Sequence, residues 1–293
     1  MFSRPHIEFI QSQCLPWSPA PRGIPGAECK ILSRADRGGA CSLLLRYPPG
    51  WQRDLTEYSP ADEEFYVLEG RIEIDSQIFG ADSYAFRPAG FTRRSIQSPE
   101  GCVMLAFYSR EPVWLSGPGN GAAERSPRSV GFLDTATMPW DMTLNDPRLA
   151  HLGISRKNLR TAPGTGERTF LSLVLPQSAP PGGAGPQEMH PVVEEAYVIA
   201  GALCGPHGTM NPGAYFWRPP GIAHGFAALT DVVMTYLVDG YYNPADELGV
   251  KWNDPVIGAD WGVTEPILSA RDEANPLRAD LPEGRRPYWP MRT

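Results

Sequence analysis

Short apolar runs, broken every few residues by glycine, proline or polar turns, set the pattern of this chain. Residues 41–47 (CSLLLRY), 64–68 (EFYVL), 71–74 (RIEI) and 103–108 (VMLAFY) are too short for stable helices and carry aliphatic and aromatic side chains, so each predicts a strand. Between Glu194 and His224 the sequence again reads as strand and turn. Residues 1–29, with Pro16, Trp17, Pro19, Pro21, Gly23, Pro25 and Gly26, predict an irregular leader packed along a sheet edge. Residues 116–129 (SGPGNGAAERSPRS) are polar and without period, and predict a linker. The fold class that follows is all-β.

The second half restates the first. Glu63-Glu64-Phe65-Tyr66-Val67-Leu68-Glu69-Gly70 aligns with Glu194-Glu195-Ala196-Tyr197-Val198-Ile199-Ala200-Gly201, and Phe86-Arg87-Pro88-Ala89-Gly90 aligns with Trp217-Arg218-Pro219-Pro220-Gly221. Both blocks share an offset of 131 residues (63 to 194, 86 to 217), the mark of a duplicated domain. Looser echoes are Pro16-Trp17 with Pro139-Trp140, and Lys30 with Lys157. The expected organisation is an amino-terminal barrel over 1–115, a linker over 116–130, a second barrel over 131–242 and an irregular tail over 243–293. Trp252, Trp261 and Trp289 are costly to leave in water, so the tail is expected to cover a barrel or a dimer interface.

Composition narrows the partners. With Lys+Arg 26 against Asp+Glu 33, the net charge of -7 offers no general attraction to phosphate backbones or anionic lipid, which argues against nucleic acid and membrane as partners. No apolar stretch reaches the length of a membrane span, and residues 1–13 lack the apolar run of a signal peptide, so a cytoplasmic protein is expected. Cys14, Cys29, Cys41, Cys102 and Cys204 are odd in number and contain no Cys-x-x-Cys pair, which reads as reduced, mostly buried thiols.

The candidate chemistry lies between Glu188 and His224. Glu188 and His190 are two residues apart, hence on one face of a strand, and Glu194 and His224 complete two clusters of donors. Imidazoles and carboxylates together suit one divalent first-row ion with positions left open for water or substrate: Fe(II) first, with Mn, Ni or Zn as alternatives. Glu188 is either a fourth ligand or a general base beside a two-histidine, one-carboxylate centre. At the same offset the first half carries Glu57, Ser59, Glu63 and Arg93, so both histidines are gone and no metal is expected there. An inward Arg93 would satisfy Glu57 and Glu63 in place of a cation. The alternative is drifted core positions with no inward ion pair. Ala196, Tyr215, Trp217 and Phe226 are candidates for a substrate pocket, or simply core, and Ala196 replaces the bulkier Phe65 of the first half. His6, His151 and His207 fall in terminal, connecting or turn sequence and are not expected to ligate.

These spacings carry a family resemblance. Gly182, Glu188, His190, Glu194 and Gly201 resemble the first cupin motif, and Gly213, Pro219, Gly221 and His224 the second, with Glu188 where the family has histidine and Ala228 where it has asparagine. The chain resembles a bicupin of the ChrR-like type, which implies two tandem double-stranded β-helix barrels. The resemblance further implies a metal-dependent dioxygenase, taking an enolate of a small diketone or aryl ketone and cleaving a carbon–carbon bond. A non-oxidative isomerase or lyase acting through an enolate, and a non-catalytic metal or small-molecule sensor, use the same ligands. A small-molecule substrate and a homodimer are the expected partners.

Overall fold

A computed structural model describes residues 4–21, 23–141, 143, 154–174, 192–201, 203–205, 208–222, 227–228 and 233–239. The strands, in chain order, are β1 (Ile7–Gln11), β2 (Ser18–Pro19), β3 (Glu28–Arg34), β4 (Cys41–Tyr47), β5 (Trp51–Tyr58), β6 (Glu63–Ile74), β7 (Gln77–Gly80), β8 (Ser83–Arg87), β9 (Thr92–Ser98), β10 (Cys102–Tyr108), β11 (Leu115–Ser116) and β12 (Val130–Asp134). They continue as β13 (Ile154–Thr161), β14 (Arg168–Val174), β15 (Glu194–Ala200), β16 (Leu203–Gly205), β17 (Gly208–Met210), β18 (Ala214–Arg218), β19 (Ala227–Ala228) and β20 (Val233–Asp239). A single turn of helix, α1 (Gly121–Glu124), is capped by the Asn120 side chain, which accepts from the Ala122 N–H. The fold is all-β. Among the described residues no helix is long and apolar enough to cross a membrane.

The chain divides into two compact units, one of residues 1–5 and 12–138, the other of residues 6–11 and those from 139 onward. In the first unit the antiparallel order is β11-β5-β9-β6-β10-β4-β3-β2, with β7 and β8 also on β6 and β12 on β8. The strand expected to break between residues 68 and 71 is one continuous twelve-residue β6. It survives because a bulge opposite Val103 and Met104 and a positive φ of 69° at Gly70 turn the strand without ending it. Its first half pairs with β8 and β10, its second half with β7 and β9, so one strand serves both walls around the core. A Cβ at Gly70 would stand 2.1 Å from the Gly101 carbonyl oxygen, which is why glycine is required there.

Alternation along β6 and β8 sorts side chains to two faces. Phe65, Val67 and Ala85 join Leu43, Leu45, Met104 and Ala106 in the main core. Tyr66 and Tyr84, on the other face, are also buried and spend their hydroxyls on Asp82 and Glu64, each at 2.6 Å. The segment expected as a linker holds α1 and turns over residues 117–129, between two short strands of this unit. β11, at its start, pairs with β5, and β12, at its end, pairs with β8.

The second unit has the order β1-β18-β15-β20-β14-β13 and a small sheet β17-β16-β19. Part of the leader is thus the edge strand β1 on β18, while β2 lies at the edge of the first sheet beside β3. The duplication is legible in detail. The β6 bulge recurs in β15 between Val198 and Ala200, Gly201 repeats the positive φ of Gly70, and Tyr215 donates to Glu195 at 2.5 Å as Tyr84 does to Glu64. Even the looser echoes hold: the Lys30 ammonium lies 4.9 Å from the Trp17 ring and that of Lys157 lies 4.5 Å from Trp140.

Candidate metal centre

Glu188, His190, His224 and Phe226 lie outside the described residues, as do the sequence around His151 and His207 and the tail from 243. Glu194 opens β15 directly opposite Arg218 of β18, and its Oε2 accepts from Arg218 Nη1 at 3.2 Å. Its side chain is 12% exposed. Ala196 and Phe216 face each other two residues farther in and belong to the core cluster with Val198, Leu203, Met210 and Ala214. Tyr215 and Trp217, offered as pocket or core, lie on the other face of β18 from Phe216. The two-residue period of β18 puts them on the opposite face from Phe216 and Arg218, where Tyr215 is fully buried against Glu195. Of the four pocket candidates, Ala196 alone stands on the Glu194 face among the described residues. His6 lies beside Glu8, 3.2 Å away.

The first unit shows in full where the four ligand positions meet. Glu57 on β5 is the direct register partner of Arg93 on β9. Arg93 Nε donates to Glu57 Oε1 at 2.8 Å, and its Nη1 stands 3.9 Å from Glu63 Oε1. Ser59, the counterpart of His190, lines one cavity with Glu63 and Arg93. Glu57, Ser59, Glu63 and Arg93 are all at least 95% buried. Four positions separated by as many as 36 residues therefore converge on one point. The inward ion pair is present, and the reading of these residues as drifted core is overturned.

Three further side chains complete the cluster. Arg53 Nε donates to the other oxygen of Glu57 at 2.9 Å, the Tyr108 hydroxyl donates to Glu63 Oε1 at 3.0 Å, and Arg93 stacks over the Trp114 ring at 3.1 Å from its centroid. Tyr108 was detectable only through register, since it pairs across the sheet with Glu63; nothing local to Trp114 marks it. Burial, with Glu63 close by, raises the Tyr108 hydroxyl well above its ordinary value, so it stays a donor. Phe65, at the position of Ala196, is fully buried, faces Ala85 and packs edge-on against Phe79, whereas Ala196 faces Phe216. Cys14 is exposed, whereas Cys29, Cys41 and Cys102 are buried thiols, as the spacing predicted; the Cys204 side chain is outside the described residues.

Comparison with known proteins places these features in context. The profile of ChrR cupin-like domains matches residues 6–111 and again 130–243, so both halves match one domain. A crystal structure from Nostoc punctiforme PCC 73102, provisionally described as a dioxygenase, superposes with a TM-score of 0.72 at 19% identity over 87% of this chain and 92% of that one. A deletion mutant of Bacillus subtilis oxalate decarboxylase gives a TM-score of 0.51 at 12% identity, over 87% and 80%. At such identities the likeness is one of fold. A second profile, that of dTDP-4-dehydrorhamnose 3,5-epimerase, matches residues 209–280 and so runs on into the tail. The epimerase of Sinorhizobium fredii NGR234 is 42% identical over 76 residues, and that of Salmonella typhimurium LT2 43% over 63. This chain spans only 39% and 34% of those two proteins.

Proposed function

The chain belongs to the ChrR cupin-like domain family, and from that premise we propose that it is a metal-dependent cupin enzyme with one reaction centre, in the second barrel. The observation that carries this reading is the convergence of Glu57, Ser59, Glu63 and Arg93 in the first barrel, because the same four positions of the repeat hold Glu188, His190, Glu194 and His224. In the first barrel a guanidinium stands where a cation would. In the second, two imidazoles and two carboxylates are a donor set suited to a divalent first-row ion, Fe(II) in the first instance. Manganese is the natural competitor, since Bacillus subtilis oxalate decarboxylase has Mn(II) centres.

The bound ion would supply Lewis acidity toward a carbonyl oxygen and, if redox-active, a route to dioxygen. The chain's own residues do the rest. Glu188, if it does not ligate, takes a proton from the carbon beside that carbonyl. Arg218 holds Glu194 by one oxygen and so fixes the carboxylate's orientation. Ala196 and Phe216 exchange the large and small positions of Phe65 and Ala85 in the other barrel, so that face presents a differently shaped apolar wall, suited to a small diketone or aryl ketone. Oxygen-dependent carbon–carbon cleavage is the reaction we assign.

A second reading, non-oxidative isomerisation, is favoured by the match of residues 209–280 to an epimerase. A 3,5-epimerase of a 4-dehydro sugar inverts the carbons flanking a carbonyl, which is the same proton abstraction without oxygen. Protein purified anaerobically should carry one first-row metal per chain, lost in His190→Ala and His224→Ala. Oxygen uptake with a ketone panel supports the cleavage reading. Exchange of substrate α-hydrogens for solvent deuterium without oxygen uptake supports the isomerase. A metal content of zero, or metal retained in both histidine variants, overturns the site.

A further inference from the structure

The first barrel has lost its ligands, yet it keeps a polar cavity whose charges do not balance. The cavity, of about 10 Å³, is open at one side and is lined by Ser59, Glu63, Arg87, Phe91, Arg93 and Trp114 among others. That volume admits one body of water or small-ion size. Its lining carries two guanidiniums, of Arg87 and Arg93, and one carboxylate, of Glu63, while Glu57 and Arg53 stand behind Arg93.

The carboxylates are spent unevenly. Glu57 gives one oxygen to Arg93 and the other to Arg53. Glu63 accepts from Tyr108, and its nearest approach to Arg87 is 4.0 Å, beyond hydrogen-bond reach. Arg87 is 94% buried with Nε and Nη1 lacking any hydrogen-bond acceptor, and is enclosed by the rings of Phe65, Phe79 and Phe91 at 5.4, 5.7 and 5.2 Å. Asp75 acts on it more weakly than Glu63 does, and that carboxylate already accepts from the backbone N–H of Arg94 and Ser95.

The duplicated unit supplies the control. Arg218 occupies the same position of the repeat, equally buried, but has carboxylate oxygens of Glu194 and Glu8 at 3.2 and 3.4 Å. The first barrel therefore carries a buried guanidinium whose nearest carboxylate, Glu63, is shared with Arg93 and stops short of hydrogen-bond reach of either. A buried charge left so is strongly unfavourable. We propose that the first barrel binds a small monovalent anion, a halide or a carboxylate no larger than formate, between Arg87 and Arg93 with the Ser59 hydroxyl beside it. A water molecule would fill the space but would leave the excess positive charge.

The test uses the full chain. Crystals grown in sodium bromide should show an anomalous peak within about 3.5 Å of Arg87 and Arg93. In solution, replacing gluconate by chloride or formate at constant ionic strength should raise Tm saturably by about 2–4 °C. The rise should be lost in Arg87→Gln and, in case that variant does not fold, also in Ser59→Val, which fills the cavity while keeping every charge. A missing bromide peak, or a chloride response that Ser59→Val leaves intact, overturns the proposal and assigns the cavity to water.

Discussion

Arg93 holds the first barrel together at the point where a metal-binding cupin would place an ion. It is 98% buried, bonded to Glu57 and stacked on Trp114, so removing it strands two carboxylates in the core. Arg93→Met should cost about 3–5 kcal/mol, read from the urea midpoint, whereas Glu57→Gln with Arg93→Met should recover part of the loss. A second residue-scale expectation concerns alkali. Burial pushes the Cys102 thiol up to about 12 and raises the hydroxyls of Tyr47, Tyr66 and Tyr108. These groups keep their protons when folded but lose them when unfolded. Stability is therefore fully present below pH 9, the ordinary value of the most acidic of the four, and is lost as the pH climbs toward about 12. Urea midpoints at pH 7, 9 and 10.5 should be level over the first interval and fall over the second.

Among the elements, β6 has the most neighbours to satisfy, and its bend is made by one residue. Gly70→Ala sets a Cβ against the Gly101 carbonyl and forces a side chain into positive φ, so a loss of about 2–4 kcal/mol is expected in thermal unfolding. The short strands β11 and β12 teach a related lesson. Both flank the polar, glycine- and proline-rich stretch of residues 117–129, and an edge strand needs only a few backbone pairings and little apolar pattern. The faces of β18 were left open by the sequence. Tyr215 and Trp217 looked like pocket residues by type, but alternation puts them behind the strand, where Tyr215 serves Glu195.

At the scale of the whole molecule, the duplication predicts that the two barrels are interconvertible in metal binding. Ser59→His with Arg93→His restores to the first unit the donor types of the second at positions that already converge. Metal content, measured by elemental analysis after anaerobic purification, should rise from one to two per chain. A value still at one would mean that Arg87 and Phe65, which the second barrel lacks in that arrangement, keep the ion out. The epimerase-like sequence of residues 209–280 bears on this scale too, since the tail that has no counterpart in the repeat does have relatives elsewhere.

What the sequence determined by itself was the architecture. Strand-length apolar runs and two blocks at one offset are local and periodic, and they specify an all-β duplicated fold without knowledge of contacts. It also identified Arg93 as the stand-in for a cation, because a repeated frame shows which residue replaces which. Only the tertiary structure decided which faces the aromatic residues take, that short edge strands flank the linker, and that Arg87 stands farther from Glu63 than Arg218 does from Glu194. Those outcomes depend on register, bulges and differences of about an ångström in reach between side chains far apart in the chain, and spacing along one strand does not encode them.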